Sequence, residues 1–209
     1  MKIELERVAP MEIEARSFEI IGQELKRPID EKLAPIVKRV IHTTADFDYA
    51  ENLCFSEGVL DRALQAIREG AAIVTDTTMA MSGINKKALA RHGGEVFCFI
   101  GDPDVAEAAK AAGTTRAVQS MEKAAKLDRP LIFAIGNAPT ALIHIYEMIS
   151  EGRLDPRLVI GVPVGFVNVV QSKELIMTAD VPYIVARGRK GGSNVAAAIC
   201  NALLYMLGR

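Results

Sequence analysis

The sequence predicts a doubly wound α/β fold: a mainly parallel five-stranded sheet, helices on both faces, and two further helices ahead of the first strand. Three observations predict it. Five short runs are almost continuously apolar, as strands must be when helices cover both faces of a parallel sheet. Segments with three- and four-residue apolar spacing separate these runs and give a repeated β, α order. No internal repeat, low-complexity stretch or Ser/Gly-rich linker interrupts the 209 residues, of which 50% are apolar. Residues 1–209 therefore read as one domain with a continuous core.

The elements follow in chain order. Residues 10–25 place Met11, Ala15, Phe18, Ile21 and Leu25 on one helical face, and Pro28, which cannot continue a helix, marks the end. Residues 33–43 form a second helix with Ile36, Val37, Val40 and Ile41 in a buried stripe. Its Arg39 and His42, three residues apart, share the roughly opposite face and point away from the core. The five strands are residues 71–75 (AAIVT), 95–100 (EVFCFI), 131–135 (LIFAI), 157–162 (RLVIGV) and 182–186 (PYIVA). Helical spacing covers residues 56–69, 102–112, 115–127, 138–151 and 167–178. Residues 193–207 close the fold with Val195, Ile199, Leu203 and Met206 along one stripe.

Composition removes several function classes. Lys plus Arg number 25 against 26 Asp plus Glu, so no basic field attracts a nucleic-acid backbone. Tryptophan is absent and aromatics are 5% of residues, which is poor material for a base-stacking platform. Cys54, Cys98 and Cys200 are far apart and odd in number, which suits buried thiols in a reducing compartment better than disulfides or zinc. The first twenty residues scatter charges and lack the apolar core of a secretory leader. No run approaches the roughly 18 apolar residues of a membrane helix. The expectation is a cytoplasmic protein.

In an open parallel sheet the ligand lies outside the carboxyl ends of the strands. Those ends carry Thr75-Asp76-Thr77-Thr78, Gly136-Asn137-Ala138-Pro139-Thr140, Pro163-Val164-Gly165-Phe166, and Arg187-Gly188-Arg189-Lys190-Gly191-Gly192-Ser193-Asn194. In the last of these, Gly191-Gly192-Ser193 opens a helix, where free N–H groups and the helix dipole favour an anion, with three cations just ahead. A plain strand-to-helix turn with solvated charges is the competing explanation. Neither a G-x-x-x-x-G-K-[ST] loop nor a G-x-G-x-x-G after the first strand is present, so nucleotide binding loses its main support. Phosphate and carboxylate both remain open.

Three histidines are present. His92, beside Gly93-Gly94, reads as a helix C-terminal cap, and His144, among Leu142, Ile143 and Ile145, as a partly buried structural residue. His42 lies on a polar helix face followed by Thr43-Thr44, where a solvated surface competes with a proton-transfer site. No His/Cys/carboxylate cluster has metal-ligand spacing.

Several of these segments, in the same order, resemble the precorrin-8X methylmutase family over essentially the whole chain. They are Arg16-Ser17-Phe18, residues 39–42 (RVIH), 136–142 (GNAPTAL), 161–167 (GVPVGFV), Gln171-Ser172-Lys173 and 188–193 (GRKGGS). The resemblance implies a Rossmann-like α/β homodimer with active sites near the subunit interface, and a reaction moving a methyl group from C-11 to C-12 of a corrin-type ring. By the same resemblance His42 is the acid-base residue that gives a proton to the macrocycle and takes one back, and Ser17, Arg39 and Arg116 contact substrate. Thr77, Asn137, Pro163, Gly165, Lys190, Gly191, Gly192 and Ser193 then become further substrate contacts, because the ring's acetate and propionate groups call for N–H groups and cations. A rearrangement that adds and removes no atoms requires no cofactor or metal.

Residues 170–173 (VQSK) depart from the Ala-Glu-Ser-Lys stretch of the aerobic-pathway members, and residues 41–46 (IHTTAD) resemble the cobalt-first branch, which favours cobalt-precorrin-8 over the metal-free substrate. Two alternatives remain: a tetrapyrrole-binding protein without catalysis, and a Rossmann-like enzyme acting on nucleotides or sugar phosphates.

Overall fold

The computed structural model describes residues 6–208, so the first five residues of the stretch read for a leader lie outside it. In chain order the elements are α1 (Ile13–Glu24), α2 (Ala34–Thr44), α3 (Tyr49–Asn52), β1 (Leu53–Phe55), α4 (Val59–Arg68), β2 (Ala72–Thr75), α5 (Thr78–Gly83), α6 (Lys86–Ala90) and β3 (Glu95–Phe97). They continue with α7 (Pro103–Ala111), α8 (Arg116–Ala124), β4 (Leu131–Ile135), α9 (Pro139–Ser150), β5 (Leu158–Gly161), α10 (Val169–Ile176), β6 (Tyr183–Ala186) and α11 (Ser193–Met206).

The α/β architecture and all five anticipated strands are present, but the sheet has six strands in the order β1-β6-β5-β4-β2-β3. The extra strand, β1, runs antiparallel to β6, pairing Leu53 with Ala186 and Phe55 with Ile184. It caps the edge that β6 would otherwise leave unpaired. The remaining pairs are parallel. Three short helices also lie outside the segments of helical spacing, although the cap reading of His92 implied a helix ending near α6. Of these, α5 and α6 begin at side-chain caps, where Thr77 and Asn85 accept the N–H groups of Ala80 and Ala88. The first helix starts at Ile13 rather than residue 10, and Met11 stands 93% exposed because no described element covers it.

Strand alternation divides the core into two layers. Ile73, Ile132, Ile160 and Ile184 face α2, α4 and α11, whereas Val74, Phe133, Ile135, Val159 and Val185 face α8, α9 and α10. Buried nearly all round, α11 wedges Val195, Ile199 and Leu203 into the first layer. Its apolar circumference suits a central helix. Among the described residues no helix is long and apolar enough to cross a membrane.

From β2 the chain steps outward to β3, then returns past β2 to build β4, β5 and β6 on the other side. The reversal opens a crevice at the carboxyl ends of β2 and β4, which is where a doubly wound sheet presents its ligand site.

Candidate functional site

At that crevice a carboxylate of the chain itself occupies the mouth of α9. Asp76, 2% exposed, follows β2 and reaches across to the mouth of α9. Its Oδ1 accepts the Gly136 N–H at 2.9 Å, and its Oδ2 accepts those of Asn137 and Ala138 at 2.8 and 2.6 Å. Burial pushes the carboxyl above its ordinary range, while the three amides pull it back toward the charged form. Thr77 caps α5 and also shares a 2.7 Å hydroxyl contact with Ser193 at the start of α11. Gly136 permits this approach, since a Cβ there would lie 2.7 Å from the Ser193 Cα. Thr77, Asn137 and Ser193 are thus brought together, with the Asn137 side chain exposed.

The loops after β5 and β6 are stitched to each other. Gly192 N–H donates to Val162 O at 2.8 Å, and Gly165 N–H to Arg189 O at 3.2 Å. Beneath them Lys173, fully buried in α10, donates from Nζ to the carbonyls of Gly188 and Lys190 at 2.9 and 2.8 Å. Burial pushes its amine down to about 8. A Cβ on Gly191 would overlap the Val162 carbonyl oxygen, so the two loops touch there backbone to backbone. Pro163 is buried and belongs to this scaffold. The anion cradle anticipated at residues 191–193 is altered accordingly: the Gly192 N–H is spent on Val162 rather than left free.

His42 sits exposed on the last turn of α2, edge-on to the Phe18 ring of α1 at 5.8 Å between centroids. Arg39, expected to point away from the core, is instead 13% exposed in the crease between α1, α2 and α11. Its guanidinium makes a two-pronged pair with Glu14 at 2.7 and 3.1 Å and lies about 5 Å from the Phe18 and Tyr205 ring centres. Two helices cover the face that α2 alone shows as polar. Ser17 donates its hydroxyl to Ile13 O within its own helix, which leaves the oxygen able to accept.

The end of α2 is fastened to the glycine-rich loop. Lys190 Nζ lies 2.6 Å from carboxylate oxygens of both Asp46 and Asp48, so the anticipated free cation is already paired. Arg187 is likewise paired, with Glu174 at 2.9 Å. Arg116, exposed at the first turn of α8, reaches the same edge of the sheet: the adjacent Thr115 touches Thr140, at the start of α9, at 3.3 Å. Val164, Phe166, Val167 and Met79 project apolar side chains around this edge, at 49%, 81%, 78% and 69% exposure.

A groove of about 520 Å³ lined by Leu25, Ile29, Phe47 and Asp48 borders the end of α2. A larger one, about 600 Å³, lies at the opposite edge of the sheet between Arg62 and Arg157, remote from these residues. The other two histidines take no part. His144 bridges Glu122 and Glu147 at 2.8 and 3.0 Å, and His92 is half-buried in the turn after α6. Among the described residues no three His, Cys, Asp or Glu side chains are grouped to hold a metal ion.

Sequence reasoning passed over the structural roles of Asp76, Lys173 and Glu14. For Lys173 a signal existed: Val169, Ser172, Lys173 and Ile176 fall at i, i+3, i+4 and i+7, the buried stripe of α10.

The precorrin-8X methylmutase family profile matches residues 12–206. The chain is 47% identical to the cobalt-precorrin-8 methylmutase of Priestia megaterium, over 94% of this chain and 88% of that protein. It is 48% identical to the enzyme of that name from Salmonella typhimurium, over 95% and 96% of the two chains. Among solved structures, the precorrin-8X methyl mutase of Thermus thermophilus superposes with a TM-score of 0.84 at 40% identity, covering 93% of this chain and 96% of that one. A fold, a sequence and a length shared at this level have one explanation: the chain belongs to the precorrin-8X methylmutase family.

Proposed function

We propose that the protein is an isomerase of cobalamin biosynthesis that moves a methyl group from C-11 to C-12 of cobalt-precorrin-8, with His42 as the proton-transferring residue. The carrying observation is the position of His42: an exposed imidazole on a helix end that Lys190 ties to the loops at the carboxyl edge of the sheet. The preference for the cobalt-containing ring follows the names of the two relatives at 47% and 48% identity.

In this reading the site supplies shape and a proton. A positioned acid that protonates the ring at one atom in the transition state accelerates such a step by ~10² to 10⁴-fold. No carboxylate of the described residues bonds the His42 ring, so a pendant carboxylate of the substrate takes the part of its charge partner. Arg116, Thr77, Asn137 and Ser193 offer donors around the same edge, and the apolar rim at Val164, Phe166 and Val167 suits the flat macrocycle. Ser17 accepts from the ligand, while Arg39 acts from behind by seating α1 on α2. We place the enzyme in the cytoplasm as a homodimer whose sites lie near the subunit interface.

Anaerobic incubation of wild type and His42→Ala with cobalt-precorrin-8 and precorrin-8X, following absorbance and mass together, tests the reading. The expected result is a spectral change at constant mass with wild type, faster on the cobalt substrate, and a loss of at least ~100-fold with His42→Ala. Tight binding by both proteins with no conversion by either would instead support a tetrapyrrole-binding protein.

A further inference from the structure

The glycine-rich loop carries three cations in four residues, Arg187, Arg189 and Lys190, and the structure treats them differently. Arg187 is taken by Glu174, and Lys190 by Asp46 and Asp48. Arg189 alone of the three has no carboxylate partner among the described residues. Its guanidinium lies 5.4 Å over the ring of Phe166, which is itself 81% exposed.

The side chain is unpaired, yet its backbone is among the most firmly held at this edge. Arg189 O accepts the Gly165 N–H, and the carbonyls on either side, of Gly188 and Lys190, both accept from the buried Lys173 ammonium. Chain that is held by these three hydrogen bonds while presenting a free planar cation on an aromatic ring is suited to receive an anion with little ordering cost. Stacking on Phe166 leaves the edge of the guanidinium, where its N–H donors lie, turned to the surroundings. The platform matches one kind of ligand: a broad apolar framework resting on Phe166 and its neighbours Val164 and Val167, with a carboxylate at its rim.

We infer that Arg189, stacked on Phe166, is the specificity-determining cation of the site and binds a peripheral carboxylate of the macrocycle. This inference rests on the isomerase reading for the identity of the ligand. Arg189 is a binding residue, and the proton transfer stays with His42. Lys190, by contrast, is a positioning residue, its charge turned inward to the α2 end.

The test compares wild type, Arg189→Met, Arg189→Lys and Arg187→Met in two measurements: turnover of cobalt-precorrin-8, and equilibrium dialysis of the corrinoid acid product and its fully esterified form. Loss of a charged fork predicts a rise of ~10- to 100-fold in KM and in product Kd for Arg189→Met, with kcat within ~3-fold of wild type. Arg189→Lys should fall between, because it keeps the charge and loses the planar fork. Arg187→Met should stay within ~3-fold of wild type, and on the ester the gap between wild type and Arg189→Met should close. An unchanged KM and Kd in Arg189→Met overturns the inference while leaving the isomerase reading intact. A variant that loses acid and ester equally, or whose sedimentation coefficient changes with its activity, overturns it in favour of a packing role. Should wild type bind the acid without converting it, a Kd that still rises for Arg189→Met supports Arg189 and defeats the isomerase reading alone. Failure of wild type to bind either corrinoid defeats both.

Discussion

Lys190 reaches 2.6 Å to the Asp46 carboxylate across 144 positions of sequence, and that contact joins the helix bearing His42 to the loop between β6 and α11. Without it Asp46 and Asp48 would face one another as like charges at the left-handed turn that ends α2 at Ala45. Lys190→Met is therefore expected to lower kcat by ~10-fold through displacement of His42, with Lys190→Arg restoring most of it. A steady-state assay at low and high salt checks this, the deficit being smaller where salt already screens the pair.

The same pair fixes a pH dependence. Lys190 holds the Asp46 carboxyl below the usual carboxylate range. A depressed folded value means that the stabilisation is complete above the unfolded pKa, roughly 3.9, and is lost as pH falls through the folded value. Urea midpoints of wild type and Lys190→Met should differ at neutral pH and converge well below pH ~4.

Asp76 makes a separate prediction. Its three amide donors would face an amide nitrogen on one side in Asp76→Asn, leaving buried N–H groups without acceptors. Charge-assisted bonds of this kind are worth about 1.5 to 3 kcal/mol each before relaxation, so a net loss of about 2 to 3 kcal/mol is expected by urea denaturation at pH 7. Activity should fall as well, because the Asn137 backbone loses its anchor.

Lys173 should make the protein more stable in mild alkali. Its amine is lowered in the fold to about 8 from an ordinary value of 10.5, so the folded state disfavours the bound proton. Stability attributable to this group is fully present above the unfolded pKa and is lost as pH falls from about 10.5 to about 8. A neutral amine keeps two N–H donors for Gly188 O and Lys190 O, so the loop contacts survive deprotonation. Wild type should gain up to ~3 kcal/mol relative to Lys173→Met between those pH values, measured by parallel denaturation curves.

What could be read from sequence follows from how each element is buried. Residues 131–135 and 158–161 are covered on both faces, so apolar continuity marks them. The three residues of β1 lie at an edge, and a single Leu-Cys-Phe carries no periodicity. The six and five residues of α5 and α6 are likewise too short for a helical stripe to show; their N-cap residues Thr77 and Asn85 were the available sign. At the site, the strand-end loops were legible because topology places them, and the exposure of His42 because helical spacing sets it opposite the buried stripe of α2. The pairing of Lys190, Arg187 and Arg39 was not, since each partner comes from another element: Asp46 and Asp48, Glu174, and Glu14. Charge is visible in sequence, but which charges have already cancelled is a property of the fold.

The carboxylate at the mouth of α9 has a wider consequence. In sheets of this winding a helix mouth at the strand ends commonly receives a phosphate on its free amides. Here the protein supplies its own carboxylate, and the amides of residues 136–138 are already bonded to it. Asp76 serves as a resident ligand, and the amides that would cradle a phosphate there are already taken.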